Sequence, residues 1–151
     1  MKLTGTRFGE IEFGPSDVLF FKEGLIGFPN LQEFVLISHR ENSPFRWLQS
    51  VQETGLAFLC AIPQHYLPDY NPTLSATVVT SLKLKEETDR YLLTTATIPQ
   101  GKPDEMTLNL AAPILVNANT RSAIQFVLED EAYTVKHRVF PEAKVKQKVA
   151  A

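Results

Sequence analysis

Phe45-Arg46-Trp47-Leu48-Gln49-Ser50-Val51 and, shortly after it, Leu56-Ala57-Phe58-Leu59-Cys60-Ala61-Ile62 decide how this chain folds. Side chains of an extended strand alternate between two faces. Phe45, Trp47, Gln49 and Val51 therefore share one face of the first run, and Arg46, Leu48 and Ser50 share the other. That reads as a strand with one apolar face, which puts Trp47 in the core beside Phe45 and Val51. The second run is apolar throughout and carries no charge, as expected of a strand buried on both faces near the centre of the fold. Phe34 and Phe58 are expected in the same core.

Working upstream, Phe8, Ile11 and Phe13 alternate with Arg7, Glu10 and Glu12 in a first strand, with Gly9 offering a bulge. Residues 18–21 form a second strand and 34–37 a third, separated by the turn residues Gly24, Gly27 and Pro29. Downstream, three prolines make residues 63–72 an irregular loop. Leu74, Val78 and Leu82 then repeat at helical spacing although residues 77–80 are β-branched, and the spacing predicts a short helix. Residues 91–98, 107–110, 114–116, 123–128 and 133–139 are further strands. Eight or nine short strands punctuated by turns define an all-β class, a small antiparallel barrel or sandwich with at most one or two short helices.

The 151 residues suit one domain, which at that size buries roughly 70% of its unfolded surface and can build a core without staples. Residues 1–140 are expected to form that domain and 141–151 a mobile basic tail. With Cys60 as the single cysteine, neither an intramolecular disulfide nor a thiolate metal cluster can form, which favours a reducing compartment. No apolar run approaches the roughly 20 residues that span a bilayer, and the N-terminus lacks the pattern of a signal peptide. The expected location is the cytoplasm.

Charge is divided unevenly. Residues 1–135 carry 10 Lys and Arg against 16 Asp and Glu, a balance of −6, whereas the last 16 residues carry five against one, a balance of +4. An acidic body opposes binding to phosphate backbones, since nucleic-acid affinity rests on Lys and Arg displacing counterions. That weighs against the main rival reading, a small barrel of the OB type that binds nucleic acid and needs a basic groove with stacking aromatics.

Catalytic signatures are not evident. The seven glycines form no phosphate-binding loop, and His39, His65 and His137 form no close ligand pair. Cys60 lies between Leu59 and Ala61, surroundings that raise a thiol pKa and leave it inert. The carboxylate clusters Glu86, Glu87, Asp89 and Glu129, Asp130, Glu131 fall in turns, where solvated charge is the default. The reading is a protein-binding protein without catalytic residues, metal or cofactor. Its expected contact surface is the turn-borne Phe28 together with Leu67, Asp69, Tyr70, Asn71 and Leu74 of the irregular loop.

Several phrases resemble the FliW family of flagellar assembly factors. They are Gly24-Leu25-Ile26-Gly27-Phe28 with Phe34, Pro44-Phe45-Arg46-Trp47-Leu48-Gln49-Ser50, Leu56-Ala57-Phe58 continuing to Pro63, and Thr107-Leu108-Asn109-Leu110-Ala111-Ala112-Pro113-Ile114 with Asn117 and Gln125. Physically these are scaffold phrases, with glycines and prolines setting turns, aromatics filling a barrel, and Asn109 and Asn117 bonding backbone locally. The resemblance implies a non-enzymatic partner switch; the composition and charge point to no membrane and no direct nucleic-acid contact, and a monomer is favoured with the oligomeric state left open. The resemblance also implies that flagellin in the cytoplasm is one partner. Once flagellin is exported, the RNA-binding carbon storage regulator CsrA is the other, and its capture relieves repression of flagellin translation.

Overall fold

The computed structural model describes residues 1–38 and 42–140, and the expected basic tail, 141–151, and His39 lie outside the described residues. Among the described residues the chain forms eleven strands and two short helices. The strands are β1 (Lys2–Thr6), β2 (Gly9–Glu12), β3 (Val18–Phe21), β4 (Glu33–Ile37), β5 (Phe45–Ser50) and β6 (Ala57–Ala61), then β7 (Arg90–Thr97), β8 (Thr107–Leu108), β9 (Ile114–Asn117), β10 (Ser122–Gln125) and β11 (His137–Arg138). Helices α1 (Pro63–Tyr66) and α2 (Ala76–Ser81) fall between β6 and β7.

Strands β3 to β7 follow one another as antiparallel neighbours, β7 pairs with β9, β9 pairs with β10, and β10 returns parallel to β3 through Ser122↔Phe20 and Ala123↔Phe21. Seven strands thus close a barrel, which removes the long open edges of a flat sheet. Phe21, Phe34, Leu48, Cys60, Leu93, Ile114 and Val116 fill it, with the Phe21 and Phe34 rings edge to face at 5.3 Å. Each large side chain so buried contributes roughly 1.5–3 kcal/mol.

The N-terminal segment differs from its expected single strand. β1 and β2 make a separate hairpin, and Gly9, at φ +78°, serves the turn between them, while the register irregularity lies between Leu3 and Thr6. Leu3-Thr4-Gly5-Thr6 offers only one large apolar side chain, so nothing in its pattern announces β1. Leu3 and Phe13 of the hairpin pack on Val35, covering the outside of β4.

That hairpin also changes the expected place of Trp47 on β5, while Phe45 and Val51 of the same face pack against core clusters. Leu48 is the fully buried core residue, whereas Trp47 is half-buried: its ring meets Phe8 edge-on at 5.5 Å and carries the Arg7 guanidinium 4.2 Å from its centroid. The expected core position for Trp47 is thereby corrected. β6 is central as expected, between β5 and β7, but complete burial is confined to Cys60 and Ala61, and residues 57–59 are half-buried. Phe34 is fully buried, and Phe58 packs against the core from a half-buried position.

The segment with mixed helix and strand signals is α2. The backbone N–H of Val78 donates to Ser75 Oγ at the N-cap, and Val78 and Leu82 pack with Leu84 and Leu115. Burial of that apolar stripe outweighs the β-branched residues' weak preference for strands. The expected strands at 123–128 and 133–139 shorten to β10 and β11.

Candidate functional site

β5 and β6 register through five residue pairs, from Phe45↔Ala61 to Gln49↔Ala57, while β6 and β7 register through only two, Cys60↔Thr95 and Ala61↔Thr94. The seam between β6 and β7 opens at both ends for separate reasons. At one end the chain leaves the sheet after Ile62, because Pro63 lacks an N–H for the ladder and starts α1. Residues 90–93 of β7 then register with β9 and with no residue of β6. At the other end Ala96 and Thr97 of β7 register with β8, and residues 57–59 of β6 register with β5 alone. A cleft lies beside each opening.

The first cleft, of about 610 Å³, has walls of Leu36, Ile62, Leu74, Tyr91 and Leu92 and two guanidinium groups, Arg46 and Arg90. Arg46 Nη1 donates to the carbonyls of Ser43 and Phe45, and Arg90 donates to those of Thr88 and Lys85. Burial raises the Tyr91 hydroxyl pKa, and the nearby charge of Arg46 opposes that rise.

Two of the expected contact residues, Asn71 and Leu74, line this cleft. Asp69 is exposed, and Leu67 packs against the cluster of Ala61, Met106, Leu108 and Leu110. Tyr70 belongs to the core. It is only 3% exposed, its hydroxyl donates to the Leu110 carbonyl at 2.7 Å, and its ring stands edge-on to Tyr133 at 4.8 Å. Its hydroxyl pKa is raised by burial and further by Tyr133. Tyr70 therefore braces the loop from within, and an alanine there would disturb the fold as well as the surface.

The second cleft, of about 700 Å³, is lined by Ile26, Trp47, residues 57–59 and residues 95–98, with the amides of Asn109 and Gln125. Its lining carries large apolar side chains in solvent, Ile26 at 52% exposed and Ile98 at 43%, and Phe28, 38% exposed, extends this apolar rim by sitting on the lining residue Phe58 at 5.1 Å. The turn that presents Ile26 and Phe28 depends on Gly24. This residue has φ +69°, and a Cβ there would collide with the Phe28 carbonyl oxygen and the Pro29 backbone. Gln125 fixes the turn to the barrel by accepting from the Ile26 N–H at 2.9 Å and donating to the Ala112 carbonyl at 3.1 Å. Ile26 and Ile98 were not among the expected contact residues. They are isolated aliphatics in sequence, and only the fold brings them to one rim.

The asparagines act as staples. Asn109 accepts from the Ala112 N–H, a local bond. Asn117 accepts from the backbone of Asn119 and Thr120 and also donates to the distant Leu82 carbonyl, tying α2 to β9. Cys60 is fully buried, and burial pushes its thiol up to about 12, so it is not a nucleophile at neutral pH. Among the described residues no group of three or more His, Cys, Asp or Glu could hold a metal ion, and no helix is long and apolar enough to cross a membrane.

Known proteins are similar to this chain in sequence and in fold. A sequence profile of the family described as "FliW protein" matches residues 2–139. The chain is 37% identical to the flagellar assembly factor FliW of Desulfitobacterium hafniense (strain Y51), over 97% of this chain and 96% of that protein. It is 40% identical to the flagellar assembly factor FliW of Syntrophotalea carbinolica, over 87% of this chain and 93% of the relative. A crystal structure of the flagellar assembly factor FliW superposes with a TM-score of 0.85 at 34% identity, covering 95% of this chain and 99% of that one.

Proposed function

The chain belongs to the FliW family, and from that premise we propose that it is a non-enzymatic flagellar assembly factor that works in the cytoplasm as a switch between two protein partners. In this reading it holds flagellin before export and, when flagellin has been exported, holds CsrA and prevents it from repressing flagellin translation. The observation that carries the reading is the apolar rim of the second cleft. Ile26, Phe28 and Ile98 are exposed around a cleft that also contains Trp47, the kind of surface that marks a protein interface. Flagellin is assigned to this rim.

A regulator that binds RNA must present Lys and Arg to phosphate, so it complements an acidic surface. Of the described carboxylate residues all but Glu105 are exposed, and among the described residues ion pairs involve only Glu10, Glu12 and Glu105. CsrA is assigned to that acidic surface, with Asp69, Asn71 and the exposed edge of the 67–74 loop as part of its contact. Negative charge docked within a Debye length, roughly 8 Å at physiological salt, disfavours an RNA backbone without occupying its groove.

The test is capture from the cytoplasm of a flagellated bacterium. The immobilised protein should retain flagellin where it is abundant and CsrA where flagellin is depleted, and retention of neither would overturn the reading. The electrostatic part is tested separately with purified CsrA and RNA. Raising salt should weaken the antagonism of RNA binding more than it weakens docking of CsrA; equal salt dependence would contradict that part.

A further inference from the structure

The two arginines of the first cleft have no part in the switch as proposed above. Among the described residues the cleft's lining contains two arginines and no Asp or Glu, in a body whose overall balance is acidic. Neither guanidinium forms an ion pair among the described residues. Both are held in place by donation to backbone carbonyls, Arg46 to Ser43 and Phe45 and Arg90 to Thr88 and Lys85, so the forks are positioned with no carboxylate partner among the described residues. Around them the walls are aliphatic and aromatic, from Leu36 and Ile62 to Leu92. The amides of Gln64 and Asn71 add neutral polar groups. A volume of about 610 Å³ falls in the roughly 300–1,000 Å³ range of small-molecule sites, which combine apolar walls with a few placed polar groups.

We propose that this cleft binds a small amphipathic anion, its apolar body between Leu36, Ile62, Leu74 and Leu92 and its carboxylate or phosphate head on Arg46 and Arg90. Guanidinium is the cation suited to that task. It is weakly hydrated, always charged, and pairs bidentately with either head group. The proposal does not depend on flagellin capture, because the cleft stands at the opposite end of the β6–β7 seam from the apolar rim; Asn71 is common to this cleft and to the contact assigned to CsrA.

Titration with decanoate, decyl phosphate and decanol, all below the concentration at which they form micelles, tests this on the unmodified protein. Calorimetry should show the anions binding about tenfold or more tightly than decanol, the advantage of a charge-assisted pair. Decanoate ahead of decyl phosphate identifies a carboxylate head, and the reverse order a phosphate head. Amide shifts in NMR spectra should centre on residues 71–74 and 90–93. Arg90→Gln and Arg46→Gln should each weaken the anion about tenfold or more while leaving decanol unchanged. Arg90 lies on an exposed position, so its variant keeps the test open if the Arg46 variant folds poorly.

Equal binding of decanol and decanoate would overturn the proposal, as would shifts centred on Trp47. Loss of flagellin or CsrA capture in Arg90→Gln, together with no anion binding by the unmodified protein, would mean that a partner's acidic side chain fills the cleft, and would also overturn it. Intact partner capture with no anion binding leaves the switch reading standing and removes this one.

Discussion

The two clefts open from one seam and differ in what the chain places at each opening. Where β6 ends, Pro63 turns the chain into α1 and Arg46 and Arg90 line an apolar space without carboxylate partners among the described residues. Where β7 passes to β8, the arginine present is Arg7, and its guanidinium lies on the face of Trp47, leaving Ile26, Phe28 and Ile98 to define the rim. One opening offers positive charge inside an oily wall, the other offers oil at the surface. A shared backbone event, the early end of a two-pair ladder, therefore yields two recognition chemistries, and side chains decide which.

The loop that brings Asn71 and Leu74 to the arginine cleft is anchored in the core by Tyr70, whereas Phe28 beside the apolar rim is part-exposed, so truncation should separate them most strongly in stability. Tyr70→Ala should cost about 3–5 kcal/mol in urea denaturation, the range for emptying a buried aromatic site. Tyr70→Phe should cost about 1 kcal/mol for the lost bond to Leu110. Phe28→Ala should also cost only about 1 kcal/mol, for its edge-on contact with Phe58. A Tyr70→Ala cost as small as that of Phe28→Ala would erase the distinction.

The closed centre of the seam gives a smaller, pH-dependent effect. Burial raises the Cys60 pKa from 9.0 to about 12, so above pH 9 the unfolded chain releases a proton that the folded chain retains. Stability should be unaffected by this group below pH 9 and should fall above it by up to about 1.4 kcal/mol per pH unit until pH 12. Cys60→Ala should make the alkaline slope of chemical denaturation shallower. An identical slope in the variant would show that other groups govern it.

Smallest is a spectroscopic difference between the clefts. Trp47 is the only tryptophan and lines the apolar cleft alone. A partner seated on the rim should shift its emission, while decanoate in the arginine cleft should leave it unchanged. A shift with decanoate would mean that the two clefts are not independent.

The barrel was legible because short apolar runs and glycine or proline punctuation recur along the chain, and Val18–Phe21, Glu33–Ile37 and Arg90–Thr97 lie close to where those runs and turns place them. Two things were not. β1 carries one large apolar residue, and its pairing comes from the hairpin turn at Gly9. On β5, Phe45 and Val51 pack against core clusters as expected and only Trp47 departs, because period two gives the alternation but not which element will cover each position; the hairpin's Arg7 and Phe8 settle that for Trp47.

The expected surface was legible in part for the same reason. Phe28 stands in its turn on the apolar rim, and Asn71 and Leu74 reach the arginine cleft, but Tyr70 carries a hydroxyl whose acceptor, Leu110, is 40 residues away. No local pattern reveals such a bond. Pairing Arg46 with Arg90, or Ile26 with Ile98, likewise required the fold.

Calorimetric titration of purified flagellin against the unmodified protein and an Ile26→Ala, Phe28→Ala, Ile98→Ala variant tests the central claim most directly. The account predicts saturable binding by the unmodified protein and an affinity lower by about 30-fold or more in the variant, the loss of roughly 2 kcal/mol expected of an interface hot spot, with the variant's barrel still folded by circular dichroism. Equal affinity of the folded variant, or no binding of flagellin to either protein, would contradict it.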